Sequence, residues 1–299
     1  MKILTGPVAS SHPLPVPATA TFPPFLLGIF AALLVLCYWP MLRMTGVILV
    51  SSEDMAHGLF APLVSLYLVW ELREQILRPS VRPSWWGGTA LTLAALLGVL
   101  STVANSSTFS RFAFLISLAG CALLFGGFNL LRRLSFPLFL LLFTFPVPEV
   151  LYGQITQPLQ LLASSLSELA FELIGFGVMR DGNILQLAHM RLNVVEACSG
   201  LRSLITLTFF CIVYAYFMEP RGWVRGVVVA LAIPAAIFVN VLRITSTGVL
   251  GKYNPAWTKG TYHDMLGWSG FFVGFALVAL CHWMLNKLIK PHAAPVAAQ

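Results

Sequence analysis

A thiol, a guanidinium and an imidazole stand out in this sequence because each sits where its surroundings favour reactivity. The run Glu196-Ala-Cys198-Ser-Gly-Leu-Arg202 opens a long apolar segment, so Cys198 falls at an expected helix N-terminus. There the helix dipole and free N–H groups stabilise a thiolate. Arg202, four residues on, would share a helix face with it and lower the thiol pKa further. The alternative is a buried, inert cysteine with Arg202 reaching to head groups. Asn240-Val-Leu-Arg243 lies within another apolar run, with Asn240 and Arg243 on one helix face. An arginine there is costly without a partner; it either snorkels or stabilises a developing oxyanion. Tyr262-His263-Asp264 is expected in a loop ahead of the last apolar run, and histidine is the natural proton carrier near neutral pH. Nucleophile, oxyanion partner and proton carrier are the parts acyl transfer requires.

The elements that position these groups must be membrane helices. The chain is 58% hydrophobic and 10% charged, with a mean hydropathy of +0.84, against about 25% charged for a soluble domain. Apolar runs near 20 residues match the length needed to cross a bilayer. They are continuous rather than alternating, which excludes a closed β-barrel. The fold class is therefore all-α: a polytopic transmembrane bundle of about eight spans, near 25–42, 57–70, 87–103, 112–130, 134–148, 199–218, 226–249 and 267–286. A flexible cytoplasmic tail is expected over 1–24, the membrane domain over 25–288, and a second cytoplasmic tail over 289–299.

Between the fifth and sixth spans, residues 154–176 have apolar positions at helical spacing and read as an amphipathic helix at the outer interface. The stretch that follows, with Asp181-Gly182-Asn183 as its turn, reads as a short β-like hairpin above the bilayer.

The net charge of +7 has a topological explanation. One alternate set of gaps, with Lys2, holds ten of the 18 basic residues, including Arg73, Arg132, Arg221 and Lys287. Positive loops stay in the cytoplasm, so both termini are expected there and the candidate groups on the opposite side. No basic stripe with interleaved aromatics suggests nucleic acid. None of the five cysteines forms a CxxC pair, and no metal or cofactor site is expected. His57 and Glu53-Asp54 read as a solvated outer loop, with binding of a substrate's polar segment as the alternative; His189 reads as structural, and His282 as a span residue without a partner.

Taken together, VVEACSGLRSL (194–204), NVLR (240–243), the late His263 and, more weakly, HGLFAPLVSLYLVW (57–70) and the Arg180-Asp-Gly-Asn-Ile stretch resemble the exosortase/archaeosortase family. The resemblance covers about 230 residues. It implies a bacterial inner-membrane cysteine protease/transpeptidase, with its active site on the periplasmic side. The implied substrates are membrane-anchored proteins with a C-terminal PEP-CTERM type sorting signal, often encoded near exopolysaccharide clusters. The family's Cys, Arg and His correspond to Cys198, Arg243 and His263; Arg202, Asn240 and Glu196 are candidate supporting residues. Two other readings fit the spans and basic gaps: a non-catalytic subunit of a polysaccharide export or assembly system, and a transporter with Arg243 as an anion site. Neither needs a thiol near a histidine.

Overall fold

The computed structural model describes residues 24–51, 55–77, 83–194, 200–258 and 260–289. The terminal tails expected at 1–24 and 289–299 fall almost wholly outside these, as do Cys198 and Glu196. The helices are α1 (Pro24–Cys37), α2 (Trp39–Ser51), α3 (Ala56–Glu71), α4 (Arg73–Leu77), α5 (Trp86–Val103), α6 (Ser107–Leu140), α7 (Glu149–Leu173), α8 (Leu201–Met218), α9 (Gly222–Tyr253) and α10 (Thr261–Leu288). Three short strands, β1 (Val178–Asp181), β2 (Ile184–Leu187) and β3 (Arg191–Asn193), lie between α7 and α8.

Among the described residues, five helical stretches are long and apolar enough to cross a bilayer: α5, Ser107–Thr144, α8, α9 and Met265–Leu288. The pair Gly28–Cys37 and Trp39–Ser51, bent by 72°, makes a sixth if it is counted as one span. The expected count of eight is not reached among the described residues. The expected fourth and fifth spans merge into one stretch, interrupted at Gly127 (φ 64°, ψ −164°). The expected second span is the 16-residue α3, short for a hydrocarbon core about 30 Å thick. Arg111 lies near the start of α6 and is buried.

The described residues form two compact units, one drawn from 24–42 and 66–138 and the other from 43–65 and 139–289. In the first, Tyr38 packs edge-on against Phe114 and its hydroxyl meets Ser117 Oγ at 2.9 Å. That bond satisfies two polar groups an apolar environment would otherwise penalise.

The second unit holds α7, the sheet and α8–α10. Helix α7 has the expected amphipathic character, and its buried face carries hydroxyls and an amide beside Ala163 and Phe171. Thr156, Gln160, Ser164 and Ser167 are buried, while Ile155, Leu162, Leu166, Leu169 and Leu173 are exposed. Lipid is the solvent that rewards this arrangement, since hydrocarbon accepts leucine and rejects hydroxyls. Ser164 settles its own hydroxyl by donating to the Gln160 carbonyl at 2.8 Å. Phe171 and Ala163 of α7 pack with Leu185, Leu187, Leu192 and Ile244 in one apolar cluster.

The expected hairpin is present and gains a strand. β1 pairs antiparallel with β2 (Asp181 opposite Ile184) across the two-residue turn Gly182-Asn183, and β2 pairs with β3. His189, just after β2, donates from Nε2 to the Gly248 carbonyl of α9 at 2.9 Å, a structural tie as expected.

Helices α8, α9 and α10 pack together around Leu207, Cys211, Val228, Ala232 and Val278. One end of this trio is closed by an ionic clamp that the sequence reading missed. Glu219, 2% exposed, accepts from Arg221 Nε at 2.7 Å and faces His282 Nε2 at 3.0 Å. The other ring nitrogen of His282 meets the Tyr214 hydroxyl at 2.9 Å, and Arg221 also donates to Asn286. With the Asn286 amide also 2.9 Å from its Nε2, His282 has three partners rather than none. The Arg221 guanidinium bonded to Glu219 is the main cause holding its carboxyl well below the usual carboxylate range, against the opposing effect of burial.

A depressed carboxylate pKa contributes stability at any pH above the ordinary value near 4.3, and that contribution is lost as pH falls through the lower folded value. Glu219→Gln should therefore lower thermal stability in detergent at pH 7 by about 3 kcal/mol, the low end for breaking a buried pair. The difference between variant and wild type should shrink below about pH 4. An unchanged melting temperature at pH 7 would show the clamp to be energetically idle.

Candidate active site

Helix α8 begins immediately after Gly200, whose backbone sits at φ 52°, ψ −41°, a region that L side chains rarely adopt. The Gly200 carbonyl accepts the first helical bond, from Leu204 N at 3.0 Å. A Cβ on Gly200 would lie 3.2 Å from Asn240 Nδ2, so the start of α8 rests directly on α9. Asn240 is 3% exposed, and its Oδ1 has no hydrogen-bond partner among the described residues. Buried amide oxygens are rarely left this way. Cys198 and Glu196, two and four residues before Gly200, lie outside the described residues.

Below this junction the three helices part around a cavity of about 310 Å³. Its lining comes from matched faces. Arg202 and Thr206 are one turn apart on α8, Val239 and Arg243 one turn apart on α9, and Gly267 and Phe271 one turn apart on α10. Trp268 adds an indole wall. Close approach of α9 and α10 is possible because position 270 is glycine: a Cβ there would meet Val239 Cγ1 at 2.7 Å. At Gly267 the neighbour is the Arg243 guanidinium, 3.7 Å from where a Cβ would be. The missing side chain at 267 thus leaves room for the arginine head.

The cavity carries two guanidiniums and no carboxylate among its lining residues. In a low-dielectric surround such a pair presents rigid N–H donors to a ligand that is anionic or becomes so. The volume is at the small end for a ligand site, enough for a short peptide segment.

The structure brings together Arg202, Asn240 and Arg243 of the residues singled out from sequence. His263, expected in a loop, belongs instead to the first turn of α10 and precedes Gly267 by four residues; its side chain is outside the described set. His57 also differs from expectation. It is not in a solvated loop but 3% exposed near the start of α3, with Nδ1 3.1 Å from Thr206 Oγ1. A histidine opening an apolar run was the available signal, since burial of an imidazole at a span end requires a partner. Thr206 and Trp268 carried no sequence signal; they matter only because the helices place them on the cavity.

A polytopic helical membrane protein with a guanidinium-lined cavity between its last three long helices is the class that fold and site define. The chain matches the family model described as transmembrane exosortase over residues 44–280, which contains every lining residue of the cavity. This protein belongs to the exosortase family. No curated protein and no solved structure matches it.

Gly200→Ala should cost about 1–2 kcal/mol, from the backbone conformation that a Cβ disfavours and the tight contact with Asn240. Thermal unfolding of the purified variant measures this, and a stability equal to wild type would mean that the junction relaxes freely.

Proposed function

We propose that this protein is a membrane-embedded cysteine protease/transpeptidase that cleaves C-terminal sorting signals of the PEP-CTERM type from exported, membrane-anchored proteins. Cys198 is the nucleophile. Its thiolate attacks the scissile carbonyl and forms a C–S bond, and the carbonyl electrons move onto oxygen. Arg243, supported by Asn240 and Arg202, stabilises that oxyanion. His263 takes the thiol proton and delivers it to the leaving amine as the C–N bond breaks. The resulting thioester is resolved by an amine or by water.

The observation that carries this reading is the cavity itself. It joins Arg202 and Arg243 to the face of α10 one turn from His263, and it lies beside α8, whose first residue follows Cys198 by three. Family membership supports the same chemistry.

The location proposed is a bacterial inner membrane, with the site on the non-cytoplasmic side. Support comes from the separation of charges along α8–α10. Arg221, Arg225 and Lys287 cluster where α8 ends, α9 begins and α10 ends, and the cavity sits toward the opposite ends of the same helices. Under the positive-inside rule the basic end is cytoplasmic.

Cys198→Ala and Cys198→Ser should leave a co-expressed precursor uncut, a loss of about 10³-fold or more, at wild-type expression. A thiol-directed reagent should modify one site fewer in Cys198→Ala than in the wild type, Cys37 and Cys281 being exposed in both. Arg243→Lys should retain less than about a tenth of the activity if a fork of donors is required at the oxyanion. Normal processing by Cys198→Ala would remove the nucleophile and the proposal with it.

A further inference from the structure

His57 is a buried titratable group beside the cavity that the chemistry above leaves unused. It is 3% exposed, lies against Phe209 with ring centroids 6.4 Å apart, and holds Thr206 Oγ1 at 3.1 Å through Nδ1. Thr206 lines the cavity one turn beyond Arg202. Its hydroxyl makes no other hydrogen bond among the described residues.

A hydroxyl has one proton to give and two lone pairs to offer. If His57 Nδ1 accepts, Thr206 spends its proton on the imidazole and shows the cavity only lone pairs. If Nδ1 carries the proton, Thr206 accepts from His57 and its own O–H is left to donate into the cavity. The tautomer of a histidine outside the cavity thus decides whether this wall donates or accepts.

We propose that His57 is a positioning residue: it donates from Nδ1–H to Thr206 and so fixes the Thr206 hydroxyl as a hydrogen-bond donor to a carbonyl oxygen of the peptide substrate. The inference rests on the acyl-transfer reading above and deepens it by adding a neutral donor to the two guanidiniums. A neutral donor in a dry site is valuable because its orientation is set before the reaction and costs no reorganisation. Threonine alone would leave the hydroxyl free to rotate; the imidazole removes that freedom. The substrate class implied is a peptide carbonyl lying along α8, held at the oxygen rather than by its side chains.

The test uses the full-length protein in proteoliposomes with a membrane-anchored precursor bearing a C-terminal sorting signal. Thr206→Val and His57→Leu should each lower kcat by about 10²-fold, the loss typical of removing one oxyanion donor, with KM within about threefold of wild type. The double variant should be no slower than the slower single, because both changes delete the same hydrogen bond. Thr206→Ser keeps the hydroxyl and should recover most of the loss. His57→Asn and His57→Gln decide the question even where His57→Leu fails to fold. Asparagine sets an amide N–H where Nδ1 stood and should be the more active. Glutamine sets it near the Nε2 position and should resemble leucine.

Wild-type kcat in Thr206→Val, multiplicative losses in the double variant, or equal activity of the asparagine and glutamine variants overturns the inference. If Cys198→Ala is inactive while Thr206→Val is fully active, only this inference falls. If Cys198→Ala is as active as wild type, the acyl-transfer reading falls too.

Discussion

A guanidinium left facing hydrocarbon is among the most expensive groups a membrane protein can carry, and Arg202 and Arg243 stand on long helices that are apolar enough to cross a bilayer. The packing of α8, α9 and α10 answers that cost by giving both heads a shared interior space. Glycine at 267 makes room for one head, and glycine at 270 lets α9 and α10 close beneath it. Tight contact at one level and a gap at the next are two results of the same choice of small residues. The cavity is therefore a requirement of the arginines as much as an accommodation for a ligand.

The same solvent explains the rest of the second unit. Helix α7 turns leucines outward and hydroxyls inward. The small sheet joins α7 and α9 through an apolar cluster that includes Leu185, Leu187 and Leu192. The three strands satisfy backbone groups by pairing with each other, and the His189 bond to the Gly248 carbonyl ties them to α9.

The three-helix core is polar at both ends for different reasons. At one end Glu219, Arg221, His282 and Tyr214 satisfy one another nearly completely, so the cluster is a clamp with nothing left to offer a ligand. At the other, Asn240 Oδ1 is unsatisfied among the described residues and the two arginines border open space. A buried amide oxygen without a partner, such as Asn240 Oδ1, marks a place where a further donor is expected. Between them the apolar layer of Leu207, Cys211, Ala232 and Val278 separates the ends, which lets one be rigid while the other stays accessible.

The amino-acid sequence by itself determined the helical membrane class, the amphipathic segment before the sheet, the hairpin turn at Gly182-Asn183 and the family. Each of these is a local or compositional property: run length, periodicity, turn chemistry and contiguous motifs. It also marked Arg202, Asn240 and Arg243, because a polar residue in an apolar run is conspicuous before any folding. The number of separate long helices was decided by tertiary structure, since a break such as Gly127 or a bend such as that between α1 and α2 depends on what packs beside it. The partners of His282 and His57 were decided there too. Tyr214 and Glu219 lie more than 60 residues from His282, and Thr206 lies 149 residues from His57. Contacts closed over such separations leave no periodic trace along the chain, so only the packed helices reveal which buried histidine is clamped and which one touches the cavity wall.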